Sequence, residues 1–206
     1  MATVTPYSNL NALVIDDMAT QLSTLRGHLN LLGITKTDGA ASADDALKHL
    51  RAGKKFQLIL CDYNLNAKTD GQQFFEFLRE QDLLPPDCLF FMITAESGYA
   101  SVAAATEHNP DAYLLKPITP NDIEERLKTS LERRDLLLPV HLKMKRDDLA
   151  GALAECDRVL ATKTRWTMSA MQLKGSLLLK LGRHEDAKGL YHEALEQRPE
   201  IGRAHV

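Results

Sequence analysis

Four apolar runs of strand length in this chain each stop on a residue carrying a functional group. They lie near 10–15, 56–61, 88–93 and 112–115, and close on Asp16-Asp17, Asp62, Thr94 and Lys116-Pro117. A weaker run lies at 34–40, and segments of helical period follow at about 18–32, 42–52, 71–81, 98–108 and 119–137. Strands that alternate with helices predict βαβ units and hence a parallel sheet with helices on both faces, since a parallel crossover must leave the sheet and return to it. The expected fold class is therefore α/β, a five-stranded parallel doubly wound sheet. In such sheets ligands bind beyond the carboxyl ends of the strands. Residues far apart in sequence are thereby expected to meet in one crevice.

Local signals agree with these elements. Ser42 to Asp45 reads as a helix start, with a capping hydroxyl and acids in the first turn, and Gly33 and Gly53 read as helix stops. Phe74, Phe75, Phe77 and Leu78 read as the buried face of the helix after Asp62. After Pro139 the strand signal disappears, and the remainder reads as helix with breaks at about 161–164 and at Gly182. The expected division is 1–138 and 139–206, with Arg133 to Leu138 allowing the last helix of the first part to run into the second. Residues 1–138 hold 13 Lys and Arg against 19 Asp and Glu, a net of -6; 139–206 hold 12 against 9, a net of +3. That asymmetry favours docking between the two parts.

Bulk features narrow the class. No apolar run approaches the roughly 20 residues of a membrane span, and the start of the chain is short and polar, unlike a signal peptide. Cys61, Cys88 and Cys156 are odd in number and widely spaced, and read as buried free thiols suited to a reducing compartment. The expectation is a cytoplasmic protein with no membrane partner. A net charge of -3 gives no basic footprint for nucleic acid. The seven histidines are scattered away from the expected crevice.

The strand-end residues suggest a chemistry. Asp16, Asp17 and Asp62 in one pocket would repel unless a cation intervened. Magnesium suits them, being a hard cation held by a few carboxylates and phosphate oxygens, and no Cys–His cluster argues for zinc. With it, an Asp can attack phosphorus to form an acyl phosphate. Lys116 and the Thr94 hydroxyl would bind the remaining phosphoryl oxygens, which is positioning and charge stabilisation. Any one of these residues could be a helix cap or a solvated charge, but four independent strand ends carrying this set are not explained that way.

Residues 8–135, with Asp16-Asp17, Asp62, Thr94, Tyr113 and Lys116-Pro117 in order, resemble the receiver domain of bacterial two-component response regulators, a flavodoxin-like fold. The resemblance implies that Asp62 is the phosphoacceptor and that Asp16, Asp17, Asp62 and the Asn64 main-chain carbonyl hold magnesium. It further implies that Lys116, before a cis Pro117, pairs with the acceptor and later its phosphate. Thr94 and Tyr113 would carry the conformational switch, and Asn64 and Glu96 would tune the lifetime of the phosphoryl group. The stretch Tyr63 to Gly71 departs from the family, lacking its Pro and running one residue longer.

The positions Gly175, Leu178, Gly182, Ala187, Tyr191, Ala194 and Pro199 resemble a tetratricopeptide repeat, a unit of roughly 34 residues with small and aromatic residues where two antiparallel helices touch. A partial copy at Asp147 to Leu160 precedes it, with Pro139 interrupting where its first helix should lie. Stacks generally need about three units, which predicts a fragment of a longer repeat protein, or an end that pairs with another copy as a homodimer. The expected function is a phosphorelay switch, not an enzyme with turnover. A sensor histidine kinase or phosphotransfer protein would phosphorylate Asp62, and the repeat-like helices would bind a target protein. The alternatives are a DNA-binding transcription regulator, a degenerate receiver that docks without phosphorylation, and an aspartyl phosphatase of the haloacid dehalogenase-like group. Against the last, Asn64 stands where that group has a second Asp.

Overall fold

The computed structural model describes residues 6–65, 69–95 and 109–196. Their contacts divide them into two compact units, the first ending at Glu132 and the second beginning at Arg133.

The first unit is built on strands β1 (Asn11–Ile15), β2 (Lys36–Ala40), β3 (Leu58–Asp62), β4 (Leu89–Thr94) and β5 (Ala112–Leu115). All pairings are parallel and the order is β2-β1-β3-β4-β5. Helices α1 (Ala19–Leu31), α2 (Ala43–Arg51) and α3 (Gly71–Glu80) follow the first three strands. The helix expected at 98–108 lies outside the described residues.

Alternate strand residues divide between two cores, as the pleat requires. Val14, Leu58, Leu60, Phe91 and Ile93 pack with Leu25 and Leu29 of α1. Leu13, Ile59, Cys61, Phe90 and Met92 pack with Ala46 of α2 and Phe74, Phe75 and Leu78 of α3. Burial on both faces explains why the central strands read as unbroken apolar runs. Phe77 departs from the expected apolar face of α3: it is 36% exposed, because the helical period that turns Phe74, Phe75 and Leu78 inward turns it out. Cys88 is only partly buried and sits just ahead of β4, whereas Cys61 and Cys156 are buried; all three are free thiols.

The expected caps are present. The Ser42 hydroxyl accepts the Asp45 N–H at 3.2 Å, and Gly33 and Gly53 end their helices at φ of 85° and 78°. Only glycine enters that region without a Cβ penalty.

Helix α4 (Pro120–Lys145) runs on through Arg133 to Leu138 into the second unit, as expected, and corrects the interruption at Pro139. It continues through Pro139 because both sides of the proline are held by packing. Leu137 meets Val159 and Ala170, and Val140 is fully buried in the core of the second unit. The actual break comes at Asp147, at φ 58°. Helices α5 (Leu149–Ala161), α6 (Thr167–Lys180) and α7 (His184–Glu196) complete that unit, with the breaks near 162–166 and at Gly182, φ 70°. Among the described residues no helix is long and apolar enough to cross a membrane. Pro199 and the residues after it are outside the described residues.

Candidate functional site

Register brings the site together. Ile15 pairs with Cys61, so the next residues, Asp16 and Asp62, stand level at the ends of neighbouring strands. Asp62 pairs with Ile93 and Thr94 with Leu115, which sets Thr94 and Lys116 one step further along the edge. The Thr94 carbonyl accepts the Lys116 N–H at 2.8 Å, tying the two ends.

Asp16, Asp62 and Thr94 are buried, at 0%, 5% and 3% exposure, while Asp17 is exposed. Carboxylate oxygens of Asp16, Asp17 and Asp62 lie within 4.8 Å of one another. Lys116 Nζ lies 3.0 Å from Asp62 Oδ1 and 3.6 Å from Asp16 Oδ2. The peptide between Lys116 and Pro117 is cis, as expected. Burial pushes the Asp62 carboxyl above its ordinary value, and the hydrogen bond and charge of Lys116 pull only partly against it.

The residues fit a hard divalent cation. Asp16 Oδ1 accepts the Met18 N–H at 2.8 Å, which fixes the carboxylate. Its Oδ2 is buried with no hydrogen-bond partner and faces the Lys116 ammonium at 3.6 Å, beyond hydrogen-bond distance, so it keeps the capacity to ligate a cation. Three carboxylate donors converging on one point suit magnesium's preference for oxygen.

The remaining expected residues fall around this centre. Asn64 is exposed, two residues beyond Asp62. Tyr113, on β5, is partly buried against the core that holds Phe75 and Met92, and burial followed by the charge of Glu76 raises its hydroxyl pKa. Glu96 lies outside the described residues, as do residues 66–68 of the longer loop.

Two supports were not singled out from sequence. A Cβ on Gly71 would strike the Asp62 carbonyl oxygen and come within 2.8 Å of Met92 Sδ, so α3 can start this close to the end of β3 only with glycine there. The signal was present in the capping box around it: Asp70 accepts the Gln73 N–H at 2.7 Å, and the Gln73 side chain accepts the Asp70 N–H at 3.2 Å. Past Pro117, the Thr119 hydroxyl and N–H both donate to Asp122 Oδ2, at 2.6 and 2.8 Å, and anchor the start of α4 behind Lys116. These bonds hold the Asp122 carboxyl below its ordinary value.

Comparison with known proteins agrees with this geometry. The family model of the response regulator receiver domain matches residues 12–128. The alkaline phosphatase synthesis transcriptional regulatory protein PhoP of Bacillus subtilis is 31% identical over 186 residues, covering 86% of this chain and 73% of that protein. The chemotaxis protein CheY1 of Helicobacter pylori is 26% identical over 126 residues, 61% of this chain and all of that protein (100%). Among solved structures, a receiver domain protein from Clostridium thermocellum superposes with a TM-score of 0.52 at 20% identity, over 62% of this chain and 98% of that one. A CheY-like receiver domain protein from Methanospirillum hungatei does so with a TM-score of 0.51 at 24% identity, over 61% and 96%.

Proposed function

We propose that this chain, which belongs to the response regulator receiver family, works in its two-component system by accepting a phosphoryl group on Asp62 and passing the change to a protein-binding helical region. The observation that carries the reading is the buried Asp62 carboxylate, 3.0 Å from Lys116 and within 4.8 Å of Asp16 and Asp17. The phosphoryl donor would be a phosphohistidine on a sensor kinase or phosphotransfer protein: its P–N bond breaks as an Asp62 oxygen bonds to phosphorus. Asp16, Asp17, Asp62 and the Asn64 carbonyl would hold magnesium, which when bound neutralises charge on the transferring group. Lys116 holds the Asp62 carboxylate in position and turns its ammonium to the phosphoryl oxygens after transfer. Thr94 offers its hydroxyl from the next strand end, and Tyr113 is the ring that repacks. Asn64 and Glu96, at the two positions that vary in the receiver family, would set how long the group lasts.

The chain acts as a cytoplasmic switch that catalyses its own phosphorylation and dephosphorylation, without steady turnover of a phosphoester. The second unit supports a tetratricopeptide-like reading, since a Cβ on Gly175 would fall on the Tyr191 ring and Ala187 and Ala194 are buried where the helices pack. Its role would be to bind a target protein or a second copy of this chain. The test is intact-mass analysis after incubation with acetyl phosphate and magnesium, for wild type and Asp62→Ala. An adduct on wild type alone is expected. No adduct on either folded protein would replace this reading with a receiver that docks without phosphate.

A second reading, DNA binding, draws on the 186-residue match to a protein named as a transcriptional regulator. Against it, Lys143, Arg158, Lys174 and Arg183 are paired with Asp148, Glu155, Asp157 and Asp186, which weakens any phosphate-binding stripe. A salt-dependent DNA shift would favour it.

A further inference from the structure

The turn that leads from β5 into α4 is held at both of its ends. On the strand side, the Lys116 N–H donates to the Thr94 carbonyl at 2.8 Å. On the helix side, Asp122 Oδ2 accepts the Thr119 hydroxyl at 2.6 Å and the Thr119 N–H at 2.8 Å, and the Asp122 N–H donates back to the Thr119 hydroxyl at 3.3 Å. Bonds to a charged carboxylate are the shorter and stronger kind, and their reciprocal arrangement is that of a capping box. Only Pro117 and Ile118 lie between the two anchors, and Ile118 packs in the same core as fully buried Ile123. At the far end of the Lys116 side chain, Nζ reaches Asp62 Oδ1 at 3.0 Å and Asp16 Oδ2 at 3.6 Å, with 28% of the side chain exposed. A lysine is a point charge on a flexible stem, so its aim depends on where its backbone is fixed.

We infer that Asp122 is a positioning residue for Lys116: by clamping Thr119 it fixes the turn whose other end directs the ammonium at Asp62. The bonds of the Asp122 side chain go to Thr119, at the opposite end of the turn from Lys116, so its influence on the site passes through that turn. Both clamp residues are exposed, and changing them leaves the core intact. The consequence for phosphoryl transfer rests on the reading of Asp62 as the acceptor; the placement of Lys116 does not.

The experiment reads the placement first, without phosphorylation. The full chain is treated briefly with acetic anhydride, and peptide mass spectrometry compares acetylation of Lys116 with that of exposed Lys128 on the same helix. Wild type is set beside Asp122→Ala, Thr119→Val and the conservative Asp122→Asn and Thr119→Ser, with urea unfolding to check each fold. Asp122→Ala should raise the relative acetylation of Lys116 by about threefold to tenfold and slow acetyl phosphate labelling by a similar factor, short of the roughly hundredfold that a full ångström of misplacement can cost. Thr119→Val, which keeps the N–H bond, should do less, and the conservative pair should stay near wild type. In a Lys116→Ala background, Asp122→Ala should slow labelling no further. Unchanged acetylation of Lys116 in Asp122→Ala, or a labelling defect that persists in full without Lys116, would overturn the positioning role and leave Asp122 a helix cap. A wild type that takes no phosphoryl group, with Lys116 still released in Asp122→Ala, would overturn the acceptor reading and support the positioning role.

Discussion

Replacing Asp62 by Asn should abolish phosphorylation and, in the absence of metal, make the protein more stable. The Coulomb contributions nearly cancel. With an effective dielectric constant of about 20, the Lys116 contact at 3.0 Å attracts by about 5.5 kcal/mol. On the same scale, the repulsion from buried Asp16, within 4.8 Å, is about 3.5 kcal/mol or more. Asp17 is exposed and adds about 1 kcal/mol of repulsion at the dielectric constant of water. Desolvation then decides the sign, and it is the largest influence raising the Asp62 carboxyl above its ordinary value. A fold that favours the uncharged carboxyl should favour the isosteric amide, by about 1–3 kcal/mol.

Urea unfolding with chelator and with magnesium reads this directly. In chelator, the midpoint for Asp62→Asn should lie above that of wild type with an unchanged slope. Magnesium should raise the wild-type midpoint and close or reverse the gap, because ligand binding to the folded state stabilises it. The pH dependence has a definite sign. A carboxyl whose folded pKa is raised costs the wild type stability above that pKa, and the cost disappears as pH falls to the ordinary value of 3.8. The variant's advantage should therefore shrink on acidification. A variant less stable than wild type in chelator at neutral pH, or one that gains as much from magnesium, would refute the reasoning.

Three further outcomes follow from contacts elsewhere. Gly71→Ala should cost about 2–3 kcal/mol in urea unfolding, because the new methyl meets the Asp62 carbonyl and Met92 Sδ, and it should slow acetyl phosphate labelling by moving the acceptor. Gly175→Ala should cost a similar amount through Tyr191, and in a Tyr191→Ala background much of that cost should vanish, so a double-mutant cycle that is simply additive would count against the packing. Burial raises the Cys156 thiol from 9.0 to about 11; relative to Cys156→Ala, wild-type stability should hold below pH 9 and fall by about 2–3 kcal/mol between pH 9 and 11, as the unfolded thiol ionises first.

Sheet and site were legible for a common reason. Central parallel strands are covered on both faces, so Leu58 to Cys61 and Leu89 to Ile93 are unbroken apolar runs, and whatever ends them stands at the ligand-binding edge. Asp16, Asp62, Thr94 and Lys116 could thus be placed together without any knowledge of contacts. The edge strand Lys36–Ala40, paired on one side only, has a single fully buried residue, Ala40, and gave the weakest signal. Gly71 was harder to read because its cause is an atom of Asp62 several residues back in the chain, whereas a sequence pattern records only the turn.

Pro139 was misread because a local signal competes with burial that only the folded chain reveals. A proline inside a helix costs about 3 kcal/mol through a lost hydrogen bond and a ring clash. Leu137 and Val140, at 6% and 0% exposure, each recover about 1.5–3 kcal/mol on burial, and that recovery requires the helix to keep its course through the proline. Together they match or exceed the penalty. The chain instead breaks after Lys145, where Asp147 takes a positive φ and Asp148 caps the next helix by accepting the Gly151 N–H at 2.8 Å and the Lys143 ammonium at 2.8 Å. A helix ends where its backbone groups find other partners, and at Pro139 the packing on either side made continuing the cheaper course.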